Sequence, residues 1–246
     1  MKEDKSKKEV DNEEEILEEE FHFNKSSQED GINAFVQKNG KIIIISSVAV
    51  IVLIGLILIF RANSQKNEAN AAQALARIEA HYFSGEYEIA LNGSDDLPTV
   101  RGERVIGLVA IVNKYGKTAA GQRAILYAAD AYYSLNNFSE ARKFFERAAR
   151  SKIDVVRIGG LAGVAACNER EGRFREAAEN YIQAANLIRE DALKLRYMYF
   201  AGLCFERAGN TDQARRIFRD IIDLGRPGEF NNLAKAGIVR LGEDVD

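Results

Sequence analysis

Three consecutive stretches of this chain repeat one pattern, and that self-similarity limits the fold more than any other feature. Residues 122–155, 158–191 and 195–228 each hold a helix-length apolar pattern, a short polar turn and a second such pattern. The turns contain Asn136-Asn137-Phe138, Gly172-Arg173-Phe174 and Gly209-Asn210-Thr211, and each closes on an alanine: Ala141, Ala177 and Ala214. Those alanines are 36 and 37 residues apart. Four residues beyond each stands an aromatic, Phe145, Tyr181 or Phe218, and three further on stand Ala148, Ala184 and Ile221. Small residues precede each turn as well, at Ala129, Ala165 and Gly202. Such small pairs let two helices approach closely, while the aromatics fill the space between one pair and the next. No single pair can bury its own apolar face, so stacking must supply the core.

The pattern resembles the tetratricopeptide repeat, with a small residue at position 8, an aromatic at 11, alanine at 20, an aromatic at 24 and alanine at 27. Tyr132 and Phe205 match position 11, and Asn168 departs from it in the middle repeat. The usual proline at position 32 is replaced by Ile153, Arg189 and Arg226. Upstream, the turn Gly85-Glu86-Tyr87 opens what reads as half of a further repeat, and residues 103–115 read as a separate helix. Downstream, Phe230, Leu233, Ala234, Ile238 and Leu241 make an amphipathic capping helix over residues 229–242. With two prolines and no tryptophan, the expected fold class is all-α: a tetratricopeptide-like α-solenoid over residues 62–246.

Ahead of the repeats lies a run of 19 residues without a charge, from Ile42 to Phe60, of which 15 are Ile, Leu, Val or Phe. At about 1.5 Å per residue the run spans roughly 28 Å, close to the hydrocarbon thickness of a bilayer. At about −0.3 to −0.6 kcal/mol for each large apolar residue, insertion is favoured by roughly 4 to 9 kcal/mol before the two serines and the glycine are set against it. The run predicts a single transmembrane helix over residues 41–61. It is longer than a signal-peptide core, starts some forty residues in, and is followed by no small-x-small cleavage site, so an uncleaved signal anchor fits better. Lys25, Lys38 and Lys41 before the span balance Arg61, Lys66 and Arg77 after it, so flanking charge does not orient it.

Residues 1–40 carry 12 acidic and 6 basic side chains. That composition predicts an acidic, mostly disordered tail through about residue 27, best read as solvated rather than as a docking element. Ile32, Phe35 and Val36 give residues 28–39 a short amphipathic character suited to a membrane surface.

Little in the chain points to catalysis. Two histidines and two cysteines leave no set for a metal cage or a nucleophilic triad, and no cofactor, metal or small-molecule substrate is expected. A net charge of −3 argues against a nucleic-acid binder. Gly116-Lys117-Thr118 echoes the end of a phosphate-binding loop, but Ile111 stands where that motif needs glycine, so a helix C-cap is the better reading. Cys167 and Cys204 occupy equivalent positions on successive repeats, about 9–10 Å apart if their helices pack normally, too far for a disulfide. His81 reads as an ordinary helix residue, and Gly159, Gly160 and Gly163 as sites of close helix packing.

The expected function is recognition of a protein partner. In tetratricopeptide arrays the first helix of each repeat lines the concave face. That places Arg123, Leu126, Asp130 and Tyr133 there from the first repeat, Arg170 from the second, and Arg196, Tyr199, Leu203 and Arg207 from the third. Tyrosine, leucine and arginine suit an extended or helical peptide.

The order of segments resembles a more specific family. An acidic tail is followed by Ala34-Phe35 and Asn39-Gly40-Lys41 entering one span, and then by degenerate repeats. That order is similar to the YfgM-like ancillary subunits of the SecYEG translocon. The resemblance implies a bacterial inner-membrane protein with a cytoplasmic N-terminus and a periplasmic repeat domain. It also implies translocon subunits, periplasmic chaperones or exported polypeptides as partners. A scaffold for another envelope complex, unrelated to export, is the alternative that the same architecture allows.

Overall fold

The computed structural model describes the backbone of residues 3–94, 97, 99, 102, 104–224 and 227–244, and side chains from residue 38 onward except 43, 44 and 191. The chain divides into two compact units, Met1–Asn63 and Ser64–Asp246.

Helix α1 is Glu3–Phe83. Its backbone is helical from Glu3, where composition predicted no order. Glu and Lys, which dominate the tail, are strong intrinsic helix formers and need no tertiary partner to favour that state locally. The side chains of Ile32, Phe35 and Val36, proposed to make residues 28–39 amphipathic, lie outside the described residues. Between residues 42 and 60 every described side chain is exposed, with only Gly55 partly covered. Within Lys38–Phe83 the helix is long and apolar enough to cross a membrane, and none of its apolar window is buried.

Among the described residues of the second unit the regular elements are helices, joined by turns and loops, with one isolated bridge between Gly93 and Ile106. After the end of α1 come α2 (Tyr87–Asn92), α3 (Leu108–Tyr115), α4 (Ala119–Ser134), α5 (Phe138–Ala149), α6 (Asp154–Arg170) and α7 (Phe174–Asn186). Helices α8 (Asp191–Arg207), α9 (Thr211–Asp223) and α10 (Glu229–Arg240) complete it. From α3 onward each helix packs on the one before and the one after it, and α4 with α6 and α8 with α10 also meet across one neighbour. This nearest-neighbour packing is what a stacked repeat requires.

One turn recurs four times. Gly85, Asn136, Gly172 and Gly209 each sit in the left-handed region at φ 79°, 60°, 73° and 77°, two residues before a second helix of a pair. The amide of the turn residue reaches back three positions in each case, to the carbonyls of Tyr82, Tyr133, Glu169 and Glu206. The next amide reaches back five, to His81, Tyr132, Asn168 and Phe205. These are the paired bonds that close a helix on a left-handed residue. The end of α1 with α2 is therefore a first pair whose second helix is cut short at Asn92 and succeeded by the loop to α3. Helix α3 begins at Leu108, five residues later than the apolar pattern indicated. The backbone at Ile106 is instead extended to meet Gly93, and a side chain on Gly107 would lie 2.4 Å from the backbone of Leu91, Asn92 and Gly93.

Helix α4 is anchored twice at its start. Thr118 Oγ1 accepts from the Gly121 amide at 3.0 Å, and the Glu68 carboxylate of α1 accepts from the amides of Ala119 and Ala120 at 2.6 and 3.0 Å. A carboxylate against free N-terminal amides is favourable both as a cap and by the helix dipole. Gly116 caps α3 as the sequence indicated, but in a right-handed conformation (φ −60°). It is small because Arg147 Nη2 and the Val112 carbonyl close over it.

The core follows the repeat signature. Ala129, Ala141, Phe145, Ala148, Ala165, Ala177, Tyr181, Ala184, Gly202, Phe205, Ala214 and Phe218 are all buried, and Tyr132 is half-buried. Aromatics meet glycines both within a pair and on the neighbouring pair. A methyl on Gly163 of α6 would strike the Phe145 ring, and one on Gly202 of α8 or Gly237 of α10 would strike Phe218.

Candidate functional site: a tyrosine-lined groove

First helices of successive pairs line one groove of about 350 Å³. Its walls come from Tyr82 at the end of α1, Leu126, Tyr127, Asp130 and Tyr133 of α4, Gly159, Ala162, Gly163 and Ala166 of α6, and Tyr197 of α8, with Phe145 behind them. Tyr82 and Tyr133 stand at the same place in their pairs, each supplying the carbonyl that closes the turn. The small residues of α6 form the floor, and the tyrosines rise on either side.

Asp130 supplies the charge in that lining. Its Oδ2 accepts from the Tyr82 hydroxyl at 2.7 Å, joining residues 48 apart in sequence. The Tyr82 ring stacks on Tyr127 with centroids 4.6 Å apart and planes 16° from parallel. Exposed Phe83 meets Tyr127 edge-on at 5.9 Å, extending the aromatic surface beyond the groove. Tyr133 stands edge-on to Phe138 and Phe145. Burial, reinforced by the bond to Asp130, pushes the Tyr82 phenol far above its ordinary value. Burial likewise raises Tyr127, Tyr133 and Tyr197. All four phenols therefore stay neutral at ordinary pH, and Asp130 remains paired with a donor.

The structure brings together three of the nine concave-face positions taken from the sequence: Leu126, Asp130 and Tyr133. Arg123 lies outside the lining, and its charge opposes the upward shift of Tyr127. Arg170 lies over the Phe138 ring at 3.7 Å. Arg196 lies over Phe230 at 5.9 Å. Tyr199, partly exposed, packs against Phe200, Phe218 and Phe230, so it joins α8 to α9 and α10. Leu203 is half-buried against the same cluster, and Arg207 reaches Glu169 Oε2 at 3.3 Å. Helix α10 covers the third repeat much as α6 covers the first.

Sequence reasoning missed Tyr82, Tyr127 and Tyr197. Tyr82 was findable, because the turn at Gly85 sets its register. Tyr127 and Tyr197 lie one position off the inner-face stripe of an ideal repeat and gave no such signal.

Asn168, the one departure from the aromatic position 11, has a local reason. Its Oδ1 accepts from Arg142 Nη1 at 3.1 Å and Arg173 Nη2 at 2.8 Å, and Glu171 pairs with both arginines. Asn168 is 5% exposed, so the acceptor is largely withdrawn from water. Replacing it with alanine leaves both guanidinium groups short of a buried acceptor. We expect Asn168→Ala to lower stability by about 1–2 kcal/mol in urea unfolding, with the helical spectrum retained.

Both thiols are buried and free. Burial and the neighbouring Glu169 push Cys204 up to about 12, and burial raises Cys167. These are inert packing thiols. His81 Nδ1 meets Glu86 Oε2 at 2.5 Å. Among the described residues no group of three or more His, Cys, Asp or Glu side chains is placed to hold a metal. A wider recess of about 500 Å³ between α7, α8 and α9 has an aliphatic floor and a rim of Lys194, Asp220 and Asp223, with no feature that selects a ligand.

A family model described as tetratricopeptide repeat matches residues 123–151 and 198–224. The chain carries tetratricopeptide repeats. The matched segments cover α4–α5 and most of α8–α9, the pairs with aromatics at position 11. The unmatched middle pair is the one carrying Asn168. No curated protein and no solved structure matches the chain. Tetratricopeptide arrays are protein–protein interaction scaffolds, and a protein partner is the class of ligand this domain is built for.

Proposed function

We propose that this chain is a membrane-anchored scaffold, held by residues 42–60 in a bacterial inner membrane, with its tetratricopeptide domain on the periplasmic side. Its task in this reading is ancillary to protein export: linking the translocon to periplasmic chaperones or to exported polypeptides. The observation that carries the scaffold role is the open, tyrosine-lined groove across α1, α4, α6 and α8. Membrane anchoring rests on an apolar helix that the chain itself leaves uncovered. The export assignment and the orientation rest on the order of acidic tail, span and degenerate repeats.

Two measurements on the full-length chain test this reading. A photo-crosslinking residue at Ala162, on the groove floor, is expected to capture translocon subunits, periplasmic chaperones or exported chains in living cells. Reproducible capture of a different envelope complex would replace export with that assembly. For orientation, Asn92→Cys should react with an impermeant maleimide added outside the inner membrane, because Asn92 is exposed and both native thiols are buried. Labelling only after lysis would place the domain in the cytoplasm.

A further inference from the structure

We infer that the groove accepts a lysine or arginine side chain of its polypeptide partner, held between tyrosine faces and the Asp130 carboxylate. This rests on the proposal that the groove is a partner-binding site, and it specifies that partner's chemistry. Among the described residues the lining contains four phenols and one carboxylate, and no cation. Of the chain's own nearby arginines, Arg170 lies on Phe138, Arg196 on Phe230 and Arg207 on Glu169, while Arg123 stands outside the lining and its effect on Tyr127 is opposed by Glu79.

Charge complementarity then decides the occupant. A carboxylate in a partly dry, apolar recess repels an acidic residue and attracts a cation much more strongly than it would in water. Aromatic faces add attraction for an ammonium or guanidinium through the ring quadrupole, most of all where water is displaced. The four-carbon or three-carbon stem of the guest would lie along Leu126, Ala162 and Ala166. Tyr82 fixes the carboxylate: its hydroxyl donates to Oδ2 and leaves the other oxygen for the guest. The recess of about 350 Å³ has room for one long side chain and the adjoining backbone. Exposed Phe83 at the rim offers a further apolar contact for a neighbouring residue of the same segment.

The test uses the full-length chain in detergent micelles and fluorescein-labelled alanine-rich heptapeptides that differ only in a central Arg, Lys, Gln, Leu or Glu. Fluorescence polarisation should show Arg and Lys peptides binding about tenfold tighter than Gln, with Glu weakest. Asp130→Asn keeps an oxygen for the Tyr82 hydroxyl, so the fold should hold, as thermal unfolding will report. In that variant Arg and Lys should fall to within about twofold of Gln. A cation preference that survives Asp130→Asn would belong to another acidic region, such as the N-terminal tail, and would overturn the inference. Binding that tracks apolarity, with Leu best and charge indifferent, would overturn it too while leaving the groove as a peptide site. Failure of the folded wild type to bind any of the five peptides would remove both the inference and the groove.

Discussion

Replacing Phe218 with alanine should cost about 3–5 kcal/mol and release the C-terminal helix before the rest of the domain unfolds. The Phe218 ring is wholly buried. It is gripped between Gly202 of α8 and Gly237 of α10, where even an added methyl would approach ring carbons to 2.5 and 2.7 Å. The tilted ring of Tyr199 leans on it at 5.9 Å. Three helices therefore meet on one side chain. Alanine leaves a cavity that the two glycines cannot fill, because neither carries a side chain to move inward. Helix α10 is a terminal element with neighbours on one side only, and stability in a repeat array is close to a sum of neighbour interfaces. Its remaining ties include Phe230 on Tyr199, Ala234 and Ile238 in the core, and the Arg240–Glu206 ion pair at 2.6 Å. That pair is partly exposed and worth little alone. Hydrogen exchange should show residues 229–240 losing protection first, with α4 and α5 unaffected. Uniform loss across the domain would mean that α10 folds only with the whole array.

Gly160→Ala should also be strongly destabilising, by about 3 kcal/mol, although helix propensity alone predicts a gain of about 1 kcal/mol. A β-carbon at residue 160 would lie 2.2 Å from the Ala149 amide nitrogen, 2.5 Å from the Ala148 carbonyl carbon and 2.8 Å from the Ala148 methyl. These are backbone atoms and a methyl, so no rotamer change relieves the clash. Helices α5 and α6 would have to separate. The adjacent Gly159 provides the contrast. A β-carbon there comes closest to the tips of Leu126, at 2.7 and 3.0 Å, and Leu126 can turn away. Gly159→Ala should therefore change urea stability by less than about 1 kcal/mol. Equal effects from the two substitutions would show that the helix crossing is looser than its geometry implies.

How much of this was readable beforehand varies by element. The alternation of small and aromatic positions marked the buried residues from Ala129 to Phe218, because each acts within a pair or on the next pair at a constant spacing. The long apolar helix was readable for a simpler reason: 19 uncharged residues leave no face for water. The inner face was much less accessible. Tyr199 sits at a nominal inner-face position, yet it packs on Phe218 and Phe230. How far that position stays open depends on the helices beyond its own pair, and here α10 packs against it.

Sequence by itself determined the period, the helix pairs, the close crossings and the long apolar helix. All of these arise from short-range spacing of residue types, which survives in a linear reading. Tertiary structure decided which inner-face residues remain accessible, and it joined Tyr82 to Asp130 across 48 residues. It also gave Asn168 two arginine donors, from α5 and from the turn that closes α6. Those outcomes depend on how one pair is rotated against the next. Small changes in helix crossing, set by contacts such as Gly160 on Ala148, move a side chain between the groove and an interface. No local pattern records that rotation.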